Sequence, residues 1–190
     1  MSYILFGGLF DPPHLGHLEI ADSAYNKIKP EQLIWIPSRY PPHRKVDGLD
    51  GRKRYDMLKW RFKNNDRFTV SDIELDKQHS GYSIETIQRF KNKFKSGKIY
   101  FLIGSDEAEN FKKWKDWKKI IEKTTIIIGR RKKKINIPDR LKNNAVILEN
   151  KIKNISSSEI RYKIRNNIEF KRYLDNGIYN YIISNNLYRN

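Results

Sequence analysis

The 190-residue chain contains no cysteine. Disulfides, zinc–thiolate centres and cysteine nucleophiles are therefore excluded together. Mean hydropathy is −0.79, and no apolar run approaches the roughly 20 residues of a membrane helix. The opening Met-Ser-Tyr-Ile-Leu-Phe-Gly-Gly-Leu-Phe lacks the basic start and long apolar stretch of a secretory leader. A cytoplasmic protein without membrane contact is expected. Acidic residues are also scarce, with 22 Asp and Glu against 39 Lys and Arg, a net charge of +17. The excess grows from +5 over residues 1–95 to +12 over residues 96–190. Such a balance suits a polyanionic partner, nucleic acid or a phosphate-rich substrate. However, Ile, Lys and Asn supply 68 residues, a bias that scatters lysine over any surface. Charge alone does not choose the partner.

The length suits one ordinary domain with a proper core and is too short for two, so residues 1–190 are expected to form a single domain. Short apolar runs at 3–6, 33–36, 68–70, 73–75, 99–103, 124–128 and 146–148 read as strands. Helical patterns fall at 15–28, 52–62, 83–94, 107–121 (broken near Trp114), 157–165 and 178–183. Several strands stop at glycine, as at Gly7, Gly104 and Gly129. The alternation predicts an α/β fold, a Rossmann-like, doubly wound parallel sheet with helices on both faces. Ligands of such sheets sit beyond the carboxyl ends of the strands, which here are residues 7–17, 37–44, 104–106 and 129–131. The loops at 37–51 and 79–82 are candidates for closing over a substrate.

Chemistry-bearing residues gather at those strand ends. In Gly7-Gly8-Leu9-Phe10-Asp11-Pro12-Pro13-His14-Leu15-Gly16-His17, two glycines let backbone N–H groups approach an anion. His14 and His17, three apart at a helix start, share one face and can grip one group. The helix N-terminus adds partial positive charge there, and Gly16 removes a side chain between the imidazoles. Two histidines that merely cap the helix are the weaker reading. The string is neither a P-loop nor a GxGxxG fingerprint. Ser156-x-x-Glu159 is a capping box that also makes an anion site of its helix N-terminus. Tyr82, Trp114 and Trp117 suit either a core or an aromatic ligand.

The first string closely resembles the G-G-[ST]-F-D-P-x-H-x-G-H signature of the HxGH nucleotidyltransferases, and within them the nicotinate-nucleotide adenylyltransferase family of bacteria. The likeness runs along nearly the whole chain. Pro41-Pro42-His43-Arg44 resembles P-P-H-[KR]; Gly81-Tyr82-Ser83-Ile84-Glu85-Thr86 resembles S-Y-T-x-[DE]-T; Ile103-Gly104-Ser105-Asp106 resembles I-G-x-D; Gly129-Arg130-Arg131 resembles x-[KR]-R; and residues 155–161 resemble I-S-[SA]-[ST]-x-I-R. Three departures stand out. Leu9 replaces a hydroxyl residue, Ser83 replaces Thr, and Lys132-Lys133-Lys134 replace a Pro-Gly turn.

The resemblance implies adenylyl transfer from ATP to nicotinate mononucleotide (NaMN), with release of pyrophosphate. It implies Mg²⁺ on the ATP phosphates and no dedicated protein metal ligands. His17, His14 and Arg44 become the catalytic set. Gly7, Gly8, Phe10, His14, His17, Gly104, Asp106, Arg130, Ser157, Ser158 and Arg161 become the ATP set, with Asp106 holding a ribose hydroxyl or a metal-bound water. Gly8, Leu9, His43, Arg44, Tyr82, Ser83, Trp114, Lys115 and Arg130 become the NaMN set. Trp114 lies against the pyridine ring, while Ser83 and the Lys115 backbone N–H face its carboxylate. A homodimer fits the family. The helix N-terminus disfavours imidazolium, but bound ATP favours it more, so ATP is expected to raise the His17 pKa. The alternatives are the same transfer to nicotinamide mononucleotide or another phosphorylated acceptor, and, in a different class, a basic nucleic-acid-binding module. For the latter, no basic recognition helix or aromatic nucleic-acid-binding strand is present.

Overall fold

A computed structural model of the chain describes residues 1–39 and 48–189. His43 and Arg44, expected at the site, lie outside the described residues. The strands are β1 (Ser2–Gly8), β2 (Gln32–Pro37), β3 (Phe68–Val70), β4 (Lys98–Gly104), β5 (Thr125–Gly129) and β6 (Ala145–Ile147). They form one sheet in the order β3-β2-β1-β4-β5-β6, parallel throughout. The helices are α1 (Leu15–Ile28), α2 (Gly51–Phe62), α3 (Ser83–Lys93), α4 (Ser105–Glu109), α5 (Trp117–Lys123), α6 (Asp139–Lys142), α7 (Ser157–Arg165) and α8 (Asn176–Ser184).

The strands read as continuous apolar runs because both faces are covered. Alternate side chains go to opposite cores. Ile4, Phe6, Leu33, Trp35, Leu102 and Ile127 pack with α1 on one face. Leu5, Ile34, Ile36, Phe101, Ile103, Ile126 and Ile128 pack on the other, against Ile87 and Phe90 of α3, Ala108 of α4 and Ile120 of α5. A third cluster joins α7, α8 and Met57 of α2. Among the described residues no helix is long and apolar enough to cross a membrane.

Three sequence expectations change. Residues 73–75 form a 3-10 turn, not a strand. Helix α6 was not foreseen; it is a single four-residue turn, too short for a periodic signal. The pattern at 107–121 splits into α4, a 3-10 turn at Phe111–Lys113, and α5. The break comes where Trp114 turns extended and Asp116 adopts φ 53°. Helix α1 ends as expected near Pro30, but the stop is made by Lys29, whose left-handed backbone returns its N–H to the Tyr25 carbonyl.

The order of strands puts the topological switch between β1 and β4, since the chain leaves β1 for β2 on one side and later returns to β4 on the other. Register brings the strand ends level, with Gly8 beside Pro37 and Gly104 beside Gly129. The loops leaving this edge are gathered by Arg54, a fully buried side chain of α2. Its guanidinium donates to the carbonyls of Leu9 (2.6 Å), Ser38 (2.8 Å) and Leu49 (3.0 Å). One planar cation thus fastens the chain after β1, the chain after β2 and the entry to α2. Arg54→Met strands three acceptors in the interior, and a loss of about 3 kcal/mol or more is expected in urea unfolding. Arg52→Ala, which removes exposed ion pairs to Asp56 and Asp72 and a surface contact with the Tyr55 ring, is expected to change stability by about 1 kcal/mol or less. Equal losses from the two would contradict the role given to Arg54.

Candidate active site

Beyond β1, the chain must turn sharply to enter α1. Gly7 and Gly8 belong to the strand itself, so the turn begins only at Leu9. Gly8 does not present an open backbone; it makes room for Phe10, whose ring would stand 2.9 Å from a Cβ there. Phe10 takes φ 51° and buries its ring against Trp35, Phe6 and His17, at centroid distances of 4.9, 5.1 and 5.2 Å. Phe10, expected in the ATP set, turns its side chain into the core. Its ring is a floor beneath His17, and only its backbone remains for a ligand.

His14 and His17 do cap the helix, contrary to the weight given to that reading. His14 is the N-cap residue; its Nδ1 accepts from the N–H of Gly16 (3.1 Å) and of His17 (3.3 Å). In return, the His14 N–H donates to His17 Nδ1 (3.2 Å). The rings stack at 3.7 Å. Gly16 is needed here, because a Cβ would press on the His14 ring at 3.0 Å. This reciprocal box satisfies three orphan helix donors with imidazole nitrogens. Its chemical consequence is more important. Each Nδ1 is occupied as an acceptor, so each neutral ring carries its proton on Nε2. The site therefore holds two adjacent Nε2–H donors on one helix face.

Both imidazoles are held neutral. The pKa of His14 is pulled down from 6.5 to about 3, chiefly by burial and then by the Arg131 guanidinium. His17 is held well below its usual value by burial, by His14 and by Arg131. Arg131 was not among the expected site residues, which placed Arg130 there. Only its position as the second of two arginines after β5 could have signalled it. Its backbone N–H donates to Ser105 Oγ (3.0 Å), and its Nε lies 3.4 Å from Asp106 Oδ1. Gly104 leaves space for that pair, since a Cβ would meet Asp106 at 2.4 Å and Arg131 at 2.9 Å. Asp106, expected to hold a ribose hydroxyl or a metal-bound water, is here half exposed and shared with Arg131. Arg130 is fixed through its backbone. Asn150 accepts from its N–H (2.7 Å) and donates to its carbonyl (2.9 Å).

The N-terminus of α7 meets the same loop. Ser156 caps the helix by accepting from the Glu159 N–H. Ser157 donates to the Pro12 carbonyl (2.9 Å), and Arg161 donates to the Asp11 carbonyl (2.7 Å) and to Ser158 Oγ (3.5 Å). Asp11, 1% exposed, receives the Tyr188 hydroxyl (2.7 Å) and the Leu49 N–H (3.2 Å) on one oxygen. The other oxygen lies 3.8 Å from Arg161. Burial and this carboxylate hold the Tyr188 hydroxyl well above the usual phenol range. Tyr188 was not among the expected site residues.

The acceptor candidates assemble beyond β4 and at the start of α3. Tyr82 is the N-cap residue of α3 and Ser83 its first residue. Lys115 Nζ lies 4.4 Å from the centre of the Tyr82 ring, a cation–π contact. Trp114 is partly buried against Phe111 (5.2 Å) and Phe101 (6.1 Å). Among the described residues no group of three or more His, Cys, Asp or Glu is placed to hold a metal. A groove of about 680 Å³, lined by Arg39, Asp50, Arg52, Asp72, Asp76 and Arg89 among others, includes none of the expected ligand residues. Much of its charge is already paired, Arg52 with Asp72 and Arg89 with Asp76.

Comparison with known proteins bears on the family and the fold. Residues 5–163 match the cytidylyltransferase-like family model. The chain is 36% identical over 195 residues to a Dictyoglomus turgidum protein named "Probable nicotinate-nucleotide adenylyltransferase", covering 99% of this chain and 96% of that one. It is 33% identical to a Clostridium tetani protein of the same name, covering 97% and 98%. A solved structure of Plasmodium falciparum nicotinic acid mononucleotide adenylyltransferase complexed with NaAD superposes with a TM-score of 0.79 at 20% identity, covering 99% of this chain and 98% of that one.

The capping geometry has a measurable acid signature. The unfolded chain protonates His14 near 6.5, the folded protein only near 3. Stability from this residue is therefore complete above pH 6.5 and drains as pH falls toward 3. His14→Asn keeps a good cap without the titration. Between pH 7 and 5 the wild type is expected to lose about 2 kcal/mol more than the variant in urea unfolding. Equal losses would contradict the neutral cap.

Proposed function

The chain belongs to the cytidylyltransferase-like family, among its nicotinate-nucleotide adenylyltransferases, and we propose that it transfers the adenylyl group of ATP to nicotinate mononucleotide. The products are nicotinate adenine dinucleotide, a step of NAD biosynthesis, and pyrophosphate. The observation that carries the reading is the stacked pair of Nε2–H donors at the sheet's switch point, with Arg131 beside it.

The NaMN 5′-phosphate is already an anion, so it attacks the α-phosphorus of ATP without a general base. One P–O bond forms, the bond to the leaving pyrophosphate breaks, and no proton need move. The work left to the protein is positioning and charge stabilisation. In our reading His17 donates from Nε2 to the α-phosphate as charge builds, and His14 donates to the oxygens beside it. Arg130, Arg131 and Arg161, with Ser157 and Ser158, line the triphosphate. Gly104 gives the nucleotide a close approach to β4, and Asp106 holds a ribose hydroxyl. Arg44 and His43, outside the described residues, belong to the acceptor phosphate in the same reading. The neutral and cationic groups around the histidines suit phosphate oxygens, so Mg²⁺ belongs on ATP, where it neutralises phosphate charge. A neutral imidazole whose Nδ1 is occupied needs no second proton to serve. Bound ATP is still expected to raise the His17 pKa relative to the free protein, but donation from the neutral ring does not depend on that rise. Trp114 takes the pyridine ring, and Ser83 with the Lys115 N–H takes its carboxylate. Donors alone match a carboxylate and leave one unpaired against a carboxamide. A cytoplasmic setting and pairing of two copies belong to this reading.

The test is pyrophosphate release from ATP and Mg²⁺, with NaMN and nicotinamide mononucleotide in parallel. We expect NaMN to be preferred. Preference for the amide would overturn the roles of Ser83 and Lys115, and release with neither would overturn the acceptor class. His17→Ala is expected to lower kcat by about 10²–10³ and to cost about 3 kcal/mol of stability through the lost bond to the His14 N–H and the space left beside Phe10, so turnover is compared where circular dichroism shows the variant folded. Normal turnover in that variant would remove His17 from the mechanism.

A further inference from the structure

Behind the turn that carries Tyr82 and Ser83 lies a second buried polar chain, separate from the histidine pair. Glu74, His79 and Thr86 are 4%, 4% and 0% exposed. Thr86 Oγ1 lies 2.6 Å from Glu74 Oε1 and 3.1 Å from His79 Nε2. His79 Nδ1 lies 2.9 Å from the Gly81 N–H. The direction of every bond follows from that last group, because a backbone N–H can only donate. His79 Nδ1 must accept from it, so the neutral ring carries its proton on Nε2 and donates to Thr86 Oγ1. Thr86 then donates to Glu74. The chain runs one way, from Gly81 through His79 and Thr86 to a carboxylate that ends it.

Its location gives it a use. Gly81 has φ 79°, a left-handed conformation that aims the next two residues, and those are Tyr82 and Ser83. The outer side of the turn is tied as well. Glu85 accepts from the Ser80 N–H and hydroxyl and binds Arg89, which also reaches Asp76. The segment 79–82, expected as a loop that closes over substrate, is thus held from within and without.

We propose that Glu74, Thr86 and His79 are positioning residues that set the Gly81 turn, and through it the geometry with which Tyr82 and Ser83 receive the acceptor nucleotide. The proposal rests on the reading of Tyr82 and Ser83 as acceptor-binding residues. The charged groups facing the chain are Glu85, Asp76 and Arg89. Burial and then Glu85 push Glu74 up, against the Thr86 hydrogen bond, to about 7. Burial and Arg89 pull His79 down, opposed by Glu85 and Asp76. Near neutrality the end of the chain alternates between a carboxylate, a strong acceptor, and a carboxylic acid, a weaker one.

Thr86→Val keeps shape and removes the central link. Its KM for NaMN is expected to rise about tenfold, the worth of one hydrogen bond of ordinary strength. Its kcat and its KM for ATP are expected to stay within about twofold of wild type. Thr86→Ser is expected to restore the NaMN KM. Tyr82→Ala, run in parallel, separates the two ideas. If it raises the NaMN KM while Thr86→Val does not, the relay is wrong. If neither moves it, the acceptor role of Tyr82 is wrong. A Thr86→Val effect spread equally over ATP and NaMN also overturns positioning. Should Thr86→Val fail to fold, ¹⁵N and ¹³C NMR of the unaltered protein decides. The relay requires the Nε2–H tautomer at His79 and a Gly81 amide that shifts as the Glu74 carboxyl titrates. An Nδ1–H tautomer, or an indifferent Gly81 amide, overturns it.

Discussion

Two imidazoles give their Nδ1 atoms to the backbone of the helix they begin, and most of the site follows from that. The capping bonds tie ring orientation to the helix axis, so the Nε2–H groups cannot swing with rotamer changes. They select one tautomer, which leaves donors rather than acceptors at the free edge of both rings. They also oppose a second proton, because an imidazolium would set an N–H against the backbone N–H groups of Gly16 and His17. Burial and Arg131 act in the same direction. A function often given to histidine, exchange of a proton near neutrality, is traded for a fixed dipole.

The rest of the protein keeps that helix start in place. The segment from Leu9 to Pro12 has no regular structure to hold it, so its carbonyls are taken one by one. Arg54 holds Leu9, Arg161 holds Asp11 and Ser157 holds Pro12. The Asp11 carboxylate reaches Tyr188 and Leu49. These partners come from α2, α7 and the end of the chain, so residues nearly 180 positions apart meet on one loop. The third hydrophobic cluster, which joins α7 and α8 to Met57, thus has a role in the site. It carries Arg161 and Tyr188 to the first motif.

The parallel sheet, its two-sided cover and the main helices were legible because parallel strands are short, apolar and followed by glycine or proline, and because the amphipathic helices repeat clearly; the strand order is set by long-range pairing that no local pattern encodes. The 3-10 turn at 73–75 and the four-residue α6 were not, since neither is long enough to show a period. At the site, residue types were legible and their duties less so. Phe10 was in the right motif, but its burial depends on φ 51° and on Trp35 from another strand. Arg131 and Arg130 are chemically identical in sequence. Only the fold shows which guanidinium acts on the histidines. Arg54 and Tyr188 act through contacts between distant segments, which no local pattern encodes. The histidine cap was legible as a possibility of spacing, and it is compatible with a phosphate contact. An imidazole has two nitrogens, and one can cap the helix while the other faces a ligand.

That division of nitrogens bears on how the site separates binding from catalysis. A guanidinium attracts every oxygen of a triphosphate, before and during transfer, so its contribution falls largely on the ground state and the transition state alike. A fixed Nε2–H donor is directional and short-ranged. It strengthens only where charge accumulates within hydrogen-bond reach. In an in-line displacement with an anionic attacker, that place is the α-phosphate, whose oxygens crowd as the new bond forms. The arginines of this chain are supplied from several loops and helices, and its surplus of +17 leaves attraction plentiful. Directional donors are supplied at the one place where the sheet order reverses, and they are built into the helix itself. A charged pair there would bind ATP more tightly and discriminate less between its resting and reacting forms. In the proposed reaction, the neutral pair, locked by the cap, puts directional donors where charge changes most.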